Sequence, residues 1–244
     1  MDSFENKVVV ESFSKWYGSK KHQWKACSNM NFEAEKGLVT GILGLNGAGK
    51  TTFLKALCGM HYASSGRISV CGHTDCTAIR SITGYVPETP ELDRTLSVKE
   101  LLHQEALLHD MPCDKVDDAV KKTVRLFELE TVLAKKTVTL SKGFKQRTSL
   151  AKAFVFSPKV LVLDEFSEGL DPAQTVSVRQ AIKNISKSCI TILSTHHIEE
   201  ALLVCDYLYI VHKGSVVAKG TAGEIIDATG KKSMEEAFLW LTKD

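Results

Sequence analysis

The chain has 244 residues, of which 43% are apolar and 25% charged, proportions that exclude a disordered protein and fit a folded globular one. Its 31 basic and 29 acidic residues leave a net charge of +2, without the basic field that nucleic-acid-binding proteins usually carry. The first residues, MDSFENKVVV, do not form a secretory signal, and no run is apolar for long enough to cross a bilayer. We therefore expect a cytoplasmic protein, to which another chain supplies the spanning helices if it works at a membrane.

The N-terminal third consists of short apolar runs. The strands predicted there are Val8–Val10, Met30–Phe32, Leu38–Leu43, Arg67–Cys71 and Ile82–Val86. A helix is predicted over Thr52–Cys58, ended by Gly59. Seven cysteines without a C-x-x-C pair indicate free thiols, and between Cys71 and Cys76 we predict a turn rather than a metal site.

The middle of the chain changes to helical spacing. Apolar residues recur at that spacing from Ser97 to about Val132, and Pro112 divides the stretch into two helices. A further helix is predicted over Ser141–Phe156. We interpret these helices as a subdomain inserted into a sheet.

Strands and helices alternate again in the C-terminal part. The predicted strands are Val160–Leu163 and Ile190–Ser194, followed by a hairpin of Leu208–Val211 and Ser215–Ala218, and the predicted helices are Pro172–Ile185, Ile198–Val204 and Met234–Leu241. This alternation predicts an α/β core with a mostly parallel sheet.

A phosphate-binding loop follows the third strand. Residues Gly44–Thr51 match G-x-x-x-x-G-K-[ST], in which glycines let backbone N–H groups point at phosphates and the next helix adds its positive end. Lys50 is placed to reach the β- and γ-phosphates, and the Thr51 hydroxyl to bind Mg²⁺. The residues expected to contact the nucleotide here are Asn46, Gly47, Ala48, Gly49, Lys50, Thr51 and Thr52. The loop alone does not separate kinases, GTPases and motor ATPases.

Two carboxylates end the apolar strand Val160–Leu163. Asp164 is placed to bind Mg²⁺ directly or through water. Because side chains alternate along a strand, Glu165 is expected to point elsewhere and to polarise the water that attacks the γ-phosphate. An acidic strand end that faces solvent is the alternative, and the upstream phosphate loop favours the catalytic interpretation.

The segment Leu140–Arg147, LSKGFKQR, resembles the LSGGQ-x-Q-R signature of ABC transporter nucleotide-binding domains. Ser141 is placed to cap a helix whose first N–H groups face an anion. The resemblance implies that Ser141 and Gly143 face the γ-phosphate bound by an opposite subunit. Lys142 and Phe144 depart from the signature.

Further motifs follow the same family's order. Gly169-Leu-Asp171-Pro resembles its D-loop, with Glu168 where serine is common, and the resemblance implies that Asp171 faces the partner subunit. His196 follows the strand Ile190–Ser194 and matches the switch histidine expected to hold the γ-phosphate. Glu88 stands where most members have a glutamine that contributes a Mg²⁺ ligand. Tyr17, beside Trp16, resembles the aromatic residue that stacks on adenine.

The resemblance covers nearly the whole chain and implies one domain over residues 1–244. The expected fold is a P-loop NTPase core with a mostly parallel sheet, an N-terminal antiparallel β part and a helical subdomain over about residues 88–157. The implied cofactors are ATP and Mg²⁺. The implied catalytic residues are Lys50, Glu165 and His196.

The resemblance also implies partners. Two copies, or this chain and a second ATPase subunit, face each other head to tail, and a transmembrane permease docks near Glu88 and holds the protein on the inner face of the membrane. The alternatives are a soluble ABC-type ATPase without a permease and another P-loop enzyme. A guanine-reading N-K-x-D motif is absent from the sequence. The cargo is not indicated, and export is favoured only by Lys142 and Glu88.

Overall fold

The computed structural model describes residues 6–19 and 22–243. Its smaller sheet is antiparallel, with the strand order β2, β1, β4, where β1 is Lys7–Ser19, β2 is His22–Glu35 and β4 is Ser65–Val70. In β1 the side chains of Val8 and Val10 are buried and their neighbours are not, the pattern of a sheet covered on one face. Strands β1 and β2 extend well beyond the predicted apolar runs Val8–Val10 and Met30–Phe32. The prediction was too short because the additional residues are largely polar.

The larger sheet has six strands in the order β5, β6, β7, β3, β8, β9. All neighbours are parallel except β8 and β9. The strands are β3 Val39–Leu43, β5 Thr83–Val86, β6 Val160–Asp164, β7 Ile190–Thr195, β8 Tyr207–His212 and β9 Ser215–Gly220. Every residue of β3, β6 and β7 is buried, which explains their continuous apolar sequences. The predicted α/β class with a mostly parallel sheet is confirmed.

The described ranges contain nine α-helices and two short 3-10 turns. The helices are α1 Lys50–Leu57, α2 Cys76–Ile82, α3 Val98–Leu108, α4 Cys113–Leu126, α5 Lys142–Phe154, α6 Pro172–Ser186, α7 Ile198–Val204, α8 Ala222–Thr229 and α9 Met234–Leu241. None of the helices in these ranges combines the length and apolar character needed to cross a bilayer.

Two helices were missed in the sequence. The predicted turn at Cys71–Cys76 extends only to Asp75, whose carboxylate accepts hydrogen bonds from the N–H groups of Thr77 and Ala78 and so caps α2. The short helix α8 begins with a capping box between Thr221 and Glu224. The box is visible in the sequence as T-x-x-E, so α8 was predictable.

The larger sheet is covered on both faces. Val162 packs in a cluster with Phe53 of α1, whereas its neighbour Leu163 packs in a second cluster with Leu150 of α5 and Ile182 of α6. At the carboxyl ends of the strands, Leu43 pairs with Thr195 and Asp164 pairs with Ser194. The segments that follow β3, β6 and β7 therefore meet at one edge of the sheet, where α/β proteins place their ligands.

Candidate functional site

The loop between β3 and α1 lies tightly against neighbouring backbone. Gly47 and Gly49 have φ values of +80° and +100°, which residues with side chains rarely adopt. A Cβ on Gly49 would lie 2.4 Å from the Ala26 carbonyl oxygen of β2. On the other side, Gly214 donates its N–H to the Ala48 carbonyl at 3.0 Å. Glycine at position 49 thus lets the loop pack between β2 and the β8–β9 turn.

Lys50 is buried and turns back toward its own loop. Its ammonium donates to the carbonyl oxygens of Gly44 at 2.8 Å and Leu45 at 3.3 Å. It also lies 3.2 Å from Oε1 of Glu165. The other oxygen, Glu165 Oε2, accepts a hydrogen bond from Nδ1 of His196 at 2.8 Å. The three residues predicted to be catalytic therefore form a continuous Lys50–Glu165–His196 chain.

The direction of Glu165 has a different cause from the one predicted. Strand β6 ends at Asp164, so side-chain alternation along the strand does not apply to the next residue. Glu165 has a φ of +50°, and its N–H donates to the Ser194 carbonyl of β7 at 3.2 Å. A non-glycine residue in this left-handed region is strained, and such strain is typical of functional positions.

Asp164 is held by hydroxyl groups. Ser194 Oγ donates to its Oδ1 at 2.5 Å, and the Tyr85 hydroxyl of β5 lies 3.4 Å from its Oδ2. Burial, followed by the nearby Asp164 charge, raises the pKa of Tyr85 well above its usual value, so this phenol stays protonated and acts as a donor. Among the described residues, the buried Asp164 carboxylate has no ion-pair partner. A bound cation would therefore be well matched to it.

A cavity of about 420 Å³ lies between the end of α1, strand β5 and the helices α3 and α5, and another of about 530 Å³ lies over the phosphate loop. The larger cavity is lined by these predicted site residues: Asn46, Gly47, Gly49, Lys50, Thr51, Thr52, Glu88 and Glu165. Ala48 is buried beneath the loop. The lining residues that were not predicted are Trp24, Lys25, Ala26, Lys213 and Gly214.

Trp24 is the most informative of the missed residues. Its side chain is 61% exposed and pairs across the strands with Tyr17, the rings stacking at 5.0 Å between centroids with planes 29° apart. Tyr17 is not among the residues that line the cavity, whereas Trp24 is. The signal lay in the sequence as an aromatic residue on the second strand, but the predicted strand began only at Met30.

The remaining predicted residues form a second group around the start of α5. Ser141 caps α5 by accepting the Phe144 N–H at 3.4 Å, and Asp171 caps α6 by accepting the Gln174 N–H at 2.9 Å. Gly143 lies directly against the Gln174 side chain. None of Ser141, Gly143 and Asp171 lines the cavity over the loop. One copy of the chain thus presents the two groups at separate places.

Comparison with known proteins identifies the family of the chain. Residues 27–168 match the family described as ABC transporter. The ATP-binding protein EcsA of Bacillus subtilis is 31% identical over 222 residues, which cover 88% of this chain and 90% of EcsA. The Nod factor export ATP-binding protein I of Burkholderia lata is 35% identical over 205 residues, covering 82% of this chain and 67% of that protein.

A solved structure of the ATP-binding subunit of an ABC transporter superposes with a TM-score of 0.89 at 30% identity, covering 97% of this chain and 99% of that one. Some relatives are much longer. The chain spans 32% of the Dictyostelium discoideum ABC transporter G family member 20, to which it is 28% identical.

Proposed function

Because this chain belongs to the ABC transporter family as one of its ATP-hydrolysing subunits, we propose that two such subunits complete each other's sites and drive transport through a separate permease. The observation that carries the proposal is the division of the predicted residues. Lys50, Glu165 and His196 are joined in one chain, and Lys50 and Glu165 line the cavity over the loop, whereas Ser141 lies outside it. A head-to-tail pair places the Ser141 helix of one copy over the loop of the other.

Within the proposed site, each residue has a distinct task. Backbone N–H groups of the loop and the Lys50 ammonium offset the charge on the phosphates. Phosphate oxygens compete with Glu165 for Lys50, which frees Oε1 of Glu165 to accept a proton from the attacking water. His196 keeps Glu165 oriented through Nδ1 and leaves Nε2 to face the γ-phosphate. The Ser141 hydroxyl and the first N–H groups of α5 from the other copy bind the same phosphate.

Mg²⁺ fits the donor set around Asp164. Thr51, Asp164 and Glu88 would hold it, directly or through water, together with phosphate oxygens. When bound, the ion offsets charge on the phosphates and helps to align them. Among the described residues no group of three or more His, Cys, Asp or Glu side chains is arranged to hold a metal. Mg²⁺ does not require such a group, because it is commonly held by one or two carboxylates together with substrate phosphates.

The adenine is assigned to the Trp24–Tyr17 stack. Trp24 presents an exposed ring at the cavity, and Tyr17 supports it from behind. Base–aromatic stacking contributes about 1–3 kcal/mol, so Trp24→Ala should weaken ATP binding about 10-fold or more while inorganic tripolyphosphate binds unchanged. Calorimetric titration of both ligands measures this, with Trp240→Phe as a control. An equal loss of affinity for ATP and for tripolyphosphate would contradict the assignment of adenine to this stack.

The permease is assigned to the cavity of about 420 Å³. It is bounded on the core side by Arg80 and Tyr85 and on the side of the helices between β5 and β6 by Glu105, His109 and Lys152. We assign these helices to a subdomain over about residues 88–157. Docking there would hold the protein peripherally at the cytoplasmic face, and export is the proposed direction because the Burkholderia relative is named for export. Affinity purification from detergent-solubilised membranes should recover a multi-span protein.

Glu165→Gln tests the hydrolytic mechanism. Removing the base should lower turnover about 100-fold or more while ATP binding persists, and ATP should then trap a dimer in size-exclusion chromatography. Glu11→Gln, an exposed carboxylate on β1, is the matched control. Lys50→Ala should instead lose ATP binding. Normal turnover by Glu165→Gln would show that another group is the base.

A further inference from the structure

Lys142 and Glu168, which both depart from the family's motifs, contact each other. The Lys142 ammonium lies 3.3 Å from Oε2 of Glu168. Lys142 is the first residue of α5, and Glu168 lies in the segment between β6 and α6. The pair therefore links the start of the Ser141 helix to the residues that follow Glu165.

The stem of Lys142 makes a contact as well as its ammonium, although 68% of the side chain is exposed. It crosses Gly169, where an added Cβ would lie 2.4–2.5 Å from its Cγ, Cδ and Cε atoms. Gly169 has a φ of +82°, a backbone conformation that favours glycine, and the absence of a side chain there leaves room for the lysine stem. A lysine whose methylene groups are packed loses less freedom when its ammonium pairs than an isolated surface lysine does.

Two further contacts hold the start of α5, one to the same segment and one to α6. Gln146 of α5 donates its side-chain N–H to the carbonyl of Phe166 at 2.9 Å, and this bond is buried. Gly143 lies against Gln174 of α6, where a Cβ would come within 2.3 Å of the amide oxygen. Phe166 directly follows Glu165. The start of α5 is therefore connected to the segment that follows Glu165 through Lys142 and Gln146, and to α6 through Gly143.

We propose that the Lys142–Glu168 ion pair positions the start of α5 relative to Glu165, and so links the two ATP sites to which each copy contributes. This inference rests on the proposed function, in which α5 faces the nucleotide bound by the partner and Glu165 faces the nucleotide bound by its own chain. Lys142 and Glu168 are positioning residues. Their effect is on the placement of Glu165 and on turnover, not on the affinity of the loop for ATP.

A double-mutant cycle on the full-length protein tests the pair. Lys142→Met keeps the stem that packs on Gly169 and removes the charge, and Glu168→Gln removes the opposite charge. Each single variant should lower kcat about fivefold with KM for ATP unchanged, and the double variant should be no slower than either single one. Lys142→Arg retains the pair and should stay within about twofold of the parent protein.

The control is the Lys7–Glu35 pair, which has the same 3.3 Å separation and lies in the antiparallel sheet. Lys7→Met should leave kcat unchanged. Effects of Lys142→Met and Glu168→Gln that multiply, or an arginine variant as slow as the methionine variant, would overturn the inference.

Hydrogen exchange measures the same link without turnover. Amides of residues 166–171 should exchange faster in Lys142→Met and in Glu168→Gln than in the parent, and Lys7→Met should leave them unchanged. Unchanged exchange in both variants would overturn the positioning role. Failure of the parent protein to bind or hydrolyse ATP would instead contradict the proposed function, while the exchange data would still decide whether the link exists.

Discussion

Two helices between β5 and β6 begin after a serine, and the two caps differ. At α3, Ser97 Oγ accepts the Glu100 N–H at 3.2 Å, and the Glu100 carboxylate accepts the Ser97 N–H at 2.7 Å. This capping box gives hydrogen-bond partners to the backbone N–H groups of both Ser97 and Glu100. The Lys136 ammonium lies 3.2 Å from the same Glu100 carboxylate. The start of α3 is closed by groups of its own chain.

The start of α5 is not closed in this way. Ser141 accepts only the Phe144 N–H, at 3.4 Å, and the first turn contains no acidic residue. Lys142 and Lys145 lie in that turn, although cations are disfavoured at the positive end of a helix. Glu168 offsets one of these charges from outside the helix.

The difference separates a structural cap from a functional one. A carboxylate at the third position of α5 would stabilise the helix start, but it would also repel a phosphate brought by a partner copy. The α5 sequence has Phe144 at that position, and its ring packs against the Arg147 guanidinium at 4.4 Å. The first turn of α5 therefore lacks a stabilising carboxylate at the place where the proposed site requires an anion to bind.

Among the variants that test this comparison, Ser141→Ala gives the largest expected effect and tests its functional side. The variant loses a hydroxyl that donates to a charged phosphate in the proposed dimer, which corresponds to about a 10- to 100-fold loss of turnover. Binding of ATP to the separated copy should not change, because Ser141 does not line that cavity. Steady-state hydrolysis and calorimetric titration measure the two quantities.

The comparison would fail if Ser141→Ala kept its turnover but lost about 1 kcal/mol of unfolding free energy, the usual effect of removing a helix cap. Ser141 would then be a structural cap like Ser97. A Ser141→Thr variant keeps a hydroxyl donor and should recover much of the activity.

Ser97→Ala gives the next largest effect and has the opposite signature. Loss of the α3 cap should lower the free energy of unfolding by about 1 kcal/mol, because a backbone N–H loses its partner. Turnover per folded molecule should be unchanged. Urea denaturation followed by circular dichroism measures the stability change, and a loss of turnover at full folding would show that α3 has a role in the site.

Much of the fold was predictable because the buried parallel strands are continuous apolar runs. The strands β3, β6 and β7 and the helices α7 and α9 were predicted within one or two residues. The short helix α2 was missed because Ile79 is its only buried residue, so its sequence shows no apolar face at helical spacing. The N-terminal strands were predicted too short because much of their length is polar and exposed.

The candidate site, like the fold, was predictable only in part. Motifs that are local in sequence, such as Gly44–Thr51 and Asp164-Glu165, identified the residues that the structure brings together. Pairings between distant segments had no local signature. The Trp24–Tyr17 stack depends on strand register, and the Lys142–Glu168 pair depends on how the α5 start packs against the segment after β6. Neither follows from composition or spacing.

The smallest expected effect is a pH dependence that belongs to the α3 cap. The Ser97 N–H, then the Ser97 hydroxyl and Lys136, lower the pKa of Glu100 from 4.5 to about 2. Because this pKa is lowered by folding, the stability it contributes is present above pH 4.5 and is lost as the pH falls toward 2. The difference in urea midpoint between the parent and Glu100→Gln should therefore shrink as the pH is lowered from 6 to 3.

The control is the difference in urea midpoint between the parent and Ser141→Ala. It should stay constant over that pH range, since the first turn of α5 contains no carboxylate. A parallel pH trend in both variants would mean that an acidic group also closes the start of α5, and the distinction between the two caps would be wrong.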